Sequence, residues 1–350
     1  MTHTLPAPIA SLVAAGQPAD FGSVEDEWRA AAETCAVFPA VHRASAVATG
    51  DDRVDFLQGM LTNDVRSLGP GQGLEAAFLT DSAKVVSVLR VSCDEDRLVL
   101  DSMAWGMDPL LQGLERYIIA DDVDLETDPE ITPLACLEGP TSLRVAAAAF
   151  ACERDPGSLA RAEYCTATLH GAALRLSRCS ELNRDGVLVS GPASLRAAVV
   201  DAATAAGALT AGLEALHLRR VECGIPWIGV DMGEDTLLME IGLTETINRT
   251  KGCYLGQEVV ERVSARGQVN RTWTGFLIDG SDAEIGAGPF DIESDTGSTV
   301  GRLTSVAWSY AANALIGVGL LHRKGRDARE LRITEGEQSV ALHRVEFPVA

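Results

Sequence analysis

Apolar positions in Asp51 to Leu61 fall at Val54, Leu57, Met60 and Leu61. Intervals of three and four residues predict a helix. Ser23 to Thr34 carries acids and a Trp at helical spacing, with Ser23 placed to cap its start. Asp108–Tyr117 and the Ala-rich Ser194–Ala206 read as further helices, as does Leu213–Glu222, stopped by Gly224 and Pro226. Val85–Val91 and Arg97–Leu100 are β-rich runs split by the acidic turn Asp94-Glu95-Asp96, a hairpin pattern. Short strands are expected at Val123–Leu125, Ala173–Leu176 and Val187–Val189. Beyond Arg271 the rhythm changes. The runs Thr274–Ile278, Val300–Leu303, Ala314–Leu320, Glu330–Ile333 and Val340–Val345, divided by Gly, Asp and Ser, predict a small all-β terminal domain. The expected division is a flexible Ala/Pro/Gly-rich arm over 1–22, an α+β region over 23–271 in two subdomains, and a β-domain over 272–350.

With 350 residues, 46% apolar and 23% charged, the chain can bury several cores and is not a disordered polymer. No apolar run approaches the roughly 20 residues of a membrane span, so no membrane partner is expected. The net charge of −21 argues against a nucleic-acid-coating protein, which needs a basic face. It leaves room for a local basic pocket. Eight cysteines, none in a C-x-x-C spacing, fit buried thiols in a reducing compartment, and no metal site is expected from them. The histidines at 42, 170, 217, 322 and 343 show no metal or triad spacing. Met1–Asp20 has no Lys or Arg, which reads as neither a secretory signal nor a mitochondrial presequence and suggests a bacterial cytoplasm.

The densest chemistry is Lys251-Gly-Cys-Tyr-Leu-Gly-Gln-Glu258. Glycines at 252 and 256 allow tight backbone geometry and close approach around Cys253. From Asn248 to Arg271, five cations (Arg249, Lys251, Arg262, Arg266, Arg271) face two acids, a net +3 in an acidic chain. That island suits an anion; surface salt bridging is the alternative. A short helix over Gln257–Ser264 would put Cys253 just before a helix start and beside cations, both of which favour a thiolate. Glu222 stands in the last turn of its helix, where the dipole disfavours an acid. It either pairs with Arg219 or accepts from a ligand's N–H groups.

The octapeptide matches the K-G-C-[FY]-x-G-Q-E signature of the YgfZ family, folate-binding proteins related to the glycine cleavage T-protein. Other blocks follow in the family's order. Phe56-Leu-Gln-Gly59 with Leu61-Thr-Asn-Asp-Val65 resembles F-L-Q-G-x-x-T-N-D-V, and Leu137-Glu-Gly-Pro140 resembles a strand end. Arg220-Val-Glu-Cys-Gly-Ile-Pro226 resembles R-x-E-x-G-I-P, and Val300-Gly-Arg-Leu-Thr-Ser305 resembles V-G-x-x-T-S. The resemblance covers about residues 40–325. It implies a GcvT/YgfZ-like, multi-domain α+β ring around a folate cavity, with a C-terminal β-barrel. It implies tetrahydrofolate as cofactor, Cys253 as the reactive group, and a folate site built from Asn63, Asp64, Glu222, Lys251, Tyr254, Gln257, Glu258 and Arg262.

The function so implied is that of an accessory protein for assembly or repair of Fe–S clusters. Its partners would be Fe–S client enzymes, tRNA-modifying ones included, or Fe–S carriers. The alternative is a folate-dependent aminomethyltransferase or demethylase-like one-carbon enzyme. T-proteins carry an Asp-Asp pair after a glycine turn; placing that block on Thr80–Arg90 puts Ser87 and Val88 at the pair and Ala83 at the glycine. Neither Ser87 nor Val88 can act as a carboxylate. This departure points away from an ordinary aminomethyltransferase.

Overall fold

The computed structural model describes residues 5–182, 185–280, 285–286, 288–336 and 338–349, leaving aside the side chain of Arg266. Alternation builds the first layer. Val85–Cys93 alternates buried and half-buried positions, and it pairs with Gly73–Leu79 on one side and Leu98–Met103 on the other. Arg43–Thr49 and Asp124–Glu126 complete this five-stranded antiparallel sheet. The helices Arg53–Met60 and Ala104–Glu115 close its apolar face around Leu57, Phe78, Leu100 and Leu110.

The second sheet has seven strands, ordered Leu209–Thr210, Ala36–Pro39, Thr132–Glu138, Gly186–Gly191, Ala172–Arg178, Tyr164–Leu169, Ala151–Cys152. Only its first pair is parallel. Ser142–Ala149 and Arg196–Ala205 cover part of it. Thr132–Glu138 and Gly186–Gly191 are buried along almost their whole length, so their sequences show continuous runs rather than alternation.

The terminal runs form a closed six-stranded barrel: Arg271–Ile278, Ala314–His322, Thr299–Ser309, Phe290–Ser294, Leu331–Glu335 and Gln338–Val345, the last pairing with the first. The expected α+β architecture with a terminal β-barrel is therefore present. No helix among the described residues is long and apolar enough to cross a membrane.

The arm expected over 1–22 needs correction. Ala7–Ala14 is a helix, and Ile9 is fully buried in the central core. Pro18 and Ala19 offer carbonyls to the N–H groups of Leu213 and Glu214. The Ala-rich composition concealed an element held by one deep isoleucine and by capping of a distant helix. Met1–Thr4 lie outside the described residues.

Leu213–Cys223 is the hub. Ten of its eleven residues are buried, against the helix Val24–Glu33 on one side and the barrel on the other. Arg220 is fully buried, and burial pulls its pKa down against the opposing effect of Asp231. Its guanidinium donates to Asp231, to Ser305 Oγ at 2.7 Å and to the Ile225 carbonyl at 3.2 Å. Asp231 also accepts from Trp227 N at 2.9 Å and Thr304 Oγ1 at 2.6 Å. Gly224 ends the helix at φ +71, and a Cβ there would lie 2.4 Å from the Phe347 ring. Asp231→Ala should cost about 3–5 kcal/mol, because it strands a buried guanidinium. Chemical denaturation checks this; a loss below 1 kcal/mol would show that water reaches the pair.

Candidate functional site

The two sheets and the segment after the hub helix meet around a cavity of about 140 Å³. The segment after the hub helix supplies an apolar wall of Ile225, Trp227, Ile228 and Met232. Val88 and Arg90 come from the first sheet, Ser180 and Glu181 from the loop after Ala172–Arg178 of the second. Arg161, about half exposed, sits with Glu75 and Glu245 at 3.1 and 3.9 Å.

The polar side of the cavity is an interlocked ion network. Arg43 pairs with Asp101, Arg90 lies 3.4 Å from Asp101, and Arg90 Nη2 donates to Glu181 Oε1 at 2.9 Å. Burial alone would lower both arginines and raise Glu181. Mutual pairing reverses this: Arg43 and Arg90 stand above their ordinary values and Glu181 falls to about 2. Glu138, under Ser180 and Glu181, accepts from Ser180 Oγ at 2.6 Å and Glu181 N at 2.8 Å, and burial pushes it up to about 8. Behind Trp227, burial holds His42 down at about 4, so its ring is neutral at physiological pH.

The residues expected at a folate site lie elsewhere. Glu222 is fully buried and accepts from Trp28 Nε1 at 2.6 Å, Ser309 Oγ at 2.7 Å and Arg219. The Arg219 pairing expected as the alternative is present, and the acid rivets two helices to the barrel. Lys251 is also spent internally. Its Nζ donates to the carbonyls of Gln58, Leu61 and Asn63 at 2.7, 2.6 and 2.8 Å, clamping the end of Arg53–Met60. Burial pulls its pKa down to about 8, and three carbonyl acceptors hold the charged form. Asn63 donates to the Glu75 carbonyl at 2.7 Å, and Asp64 accepts from Gln58 Nε2 at 2.9 Å. Tyr254 is buried beneath Lys251, its hydroxyl without a hydrogen-bond partner among the described residues.

Gln257, Glu258 and Arg262 lie on the helix Gln257–Arg266, with Glu258 and Arg262 exposed. None of the eight expected cofactor residues lines the cavity. Of the cationic island, Lys251 is buried, Arg271 is paired with Glu240 at 2.7 Å, Arg249 and Arg262 are exposed, and the Arg266 side chain is outside the described set.

Cys253 stands apart. It is the one exposed cysteine of the eight, the others being buried or half-buried. Gly252 has open space around it, while Gly256, at φ +81, lies where a Cβ would sit 2.6 Å from the Thr80 carbonyl. The loop is thus pressed to the protein at Gly256 and turns Cys253 outward. In the Thr80–Lys84 turn, Ala83 adopts φ +61, the conformation that favours glycine. Ser87 is fully buried against Ser102, at 2.9 Å between hydroxyl oxygens, and Asp81 is exposed on the turn.

Most cavity residues carry no motif of their own; the available signals were the Arg220–Pro226 block, whose Ile225 and Pro226 line the cavity and which Trp227 follows directly, and Val88 in the Thr80–Arg90 placement.

Comparison with known proteins gives a consistent placement. The GCVT N-terminal domain profile matches residues 6–251. The aminomethyltransferase of Halothermothrix orenii is 24% identical over 337 residues, covering 95% of this chain and 92% of its own length. The mitochondrial aminomethyltransferase of Canis lupus familiaris is 28% identical over 288 residues, covering 77% and 68%. The crystal structure of glycine cleavage system aminomethyltransferase T from Bartonella henselae superposes with a TM-score of 0.83 at 19% identity, over 95% of this chain and 91% of that one.

Two outcomes check this geometry. Lys251→Met should destabilise the protein by about 2–3 kcal/mol through three carbonyls left without their donor, read by thermal and chemical denaturation. A limiting thiol alkylator at neutral pH should modify Cys253 first, read by peptide mass spectrometry; first labelling at Cys93, Cys152 or Cys223 would contradict the exposure order.

Proposed function

The chain belongs to the GCVT N-terminal domain family, and on that premise we propose that its central cavity binds tetrahydrofolate, the cofactor of the family's aminomethyltransferases. The observation that carries this is the cavity itself, walled by Trp227 and aliphatic side chains on one side and by Arg90, Ser180 and Glu181 on the other. A pterin offers an apolar face and a polar edge with N–H donors, which fits that division.

The relatives' names support folate-dependent aminomethyl transfer as the activity. A second reading is favoured by two specific observations. Val88 lines the cavity with an isopropyl group and Ser87 is turned into the core, so neither supplies a carboxylate where the T-protein pair is placed. Cys253 is meanwhile turned outward. In that reading, which rests on the Lys251–Glu258 octapeptide resembling YgfZ, the protein is a folate-binding accessory factor for Fe–S enzymes. Cys253 then meets the partner, contributing one ligand or a redox thiol, since a single thiolate cannot hold a cluster.

Calorimetry with tetrahydrofolate tests the cavity. Wild type should bind, and Val88→Trp should weaken binding about tenfold or more by filling the space, with folding confirmed by circular dichroism. Absence of binding by wild type would overturn the proposal. Aminomethylated lipoyl carrier then separates the two readings. Formation of methylene-tetrahydrofolate supports transfer; none, together with client-enzyme activity rescued by wild type and not by Cys253→Ala, supports the accessory role.

A further inference from the structure

We propose that His42, Cys136 and Glu181 form a buried site for one divalent transition-metal ion of the zinc class. The three residues come from separate parts of the chain: His42 just before Arg43–Thr49, Cys136 within Thr132–Glu138, and Glu181 after Ala172–Arg178. One ligand atom from each lies within 4.8 Å of the other two. All are secluded, with exposures of 0%, 1% and 4%.

Both ring nitrogens of His42 are buried and have no hydrogen-bond partner among the described residues. A buried imidazole with neither its N–H nor its lone pair satisfied is uncommon in a packed core. The Cys136 thiol also has no hydrogen bond among the described residues. Glu181 receives Arg90 on Oε1 at 2.9 Å, but its Oε2 has only Arg43 Nη1 at 3.7 Å. The two unsatisfied imidazole nitrogens and the Cys136 thiol thus converge on a carboxylate held by Arg90 and Arg43, and that carboxylate belongs to a residue that also lines the cavity.

The chemistry of the set is that of a borderline ion: one imidazole nitrogen, one thiolate and one carboxylate oxygen. Bond lengths of about 2.0–2.3 Å in a tetrahedron place these ligand atoms roughly 3.3–3.7 Å apart. Closing from 4.8 Å at most therefore needs shifts of about an ångström, within the reach of side-chain rotation. On binding, the metal–sulfur bond forms as the S–H bond breaks, and the proton leaves to solvent with no change of oxidation state. The nearby charges of Arg43 and Arg90 oppose a cation, but Asp101 and Glu181 balance them, and the Cys136 thiolate adds a further negative charge. Three protein ligands leave a fourth position for water or a ligand atom.

Cobalt(II) is the probe, because thiolate ligation gives it a near-ultraviolet charge-transfer band. The full chain carrying Cys253→Ser, which removes the exposed thiol, is expressed in cobalt-supplemented medium and dialysed against metal-free buffer. One cobalt per chain with that band is expected, and Cys136→Ser in the same background should lose the band and bind cobalt about a hundredfold more weakly. Retention of no cobalt by the Cys253→Ser protein would overturn the proposal and leave ordered water as the filler of His42. Survival of the band in Cys136→Ser would overturn it too. The Cys253→Ser result needs no core substitution, so misfolding of Cys136→Ser cannot obscure it. Tetrahydrofolate calorimetry on metal-free protein remains an independent readout of the cavity.

Discussion

A fully buried ion pair, Arg220 with Asp231, sets the geometry on which the rest of the molecule depends. A guanidinium shut away from water is tolerated only where its donors meet acceptors. Arg220 meets that demand by drawing in Asp231, the Ile225 carbonyl and Ser305 of the barrel. Asp231 in turn holds the Trp227 amide. The stretch from Ile225 to Met232 is thereby bolted to the barrel, and that stretch is the apolar wall of the cavity. Stability and site shape are one requirement at this joint.

The sequence blocks that carry the family resemblance meet one another in pairs. Arg220–Pro226 joins Val300–Ser305 through Arg220 and Ser305, while Glu222 reaches further along the same strand to Ser309. Phe56–Val65 joins Lys251–Glu258 through the Lys251 ammonium on three carbonyls, with the Leu255 amide on Gly59 and the Asn248 amide on Thr62 beside them. These residue patterns are joints between layers. That is why Glu222 and Lys251, which look like ligand groups in the sequence, are consumed by the fold, and why Cys253, in the same octapeptide, is left pointing outward.

Electrostatics at the cavity follows a similar economy. In a chain of net charge −21, the cavity side is a locally balanced set of Arg43, Arg90, Asp101 and Glu181. Interlocking keeps Arg43, Arg90 and Glu181 ionised despite burial, so the wall presents fixed charges to whatever enters. Glu138 lies outside the arginine pairing and shows the opposite behaviour, its carboxyl held protonated up to about pH 8 by burial.

Local pattern alone determined much of this protein. Helical spacing located Arg53–Met60, Leu213–Cys223 and Gln257–Arg266, and β-like runs divided by Gly and Asp located five of the six barrel strands, because these signals reside in neighbouring residues. The octapeptide drew attention to the one cysteine that is exposed. Other features were decided only in three dimensions. Thr132–Glu138 shows no alternation because both its faces are covered. Ile9 gives an Ala-rich arm a place in the core that composition cannot express. The cavity, and the meeting of His42, Cys136 and Glu181, bring together residues tens to more than a hundred positions apart. Their proximity is set by how two sheets and a barrel pack on a buried helix, and no spacing along the chain encodes it.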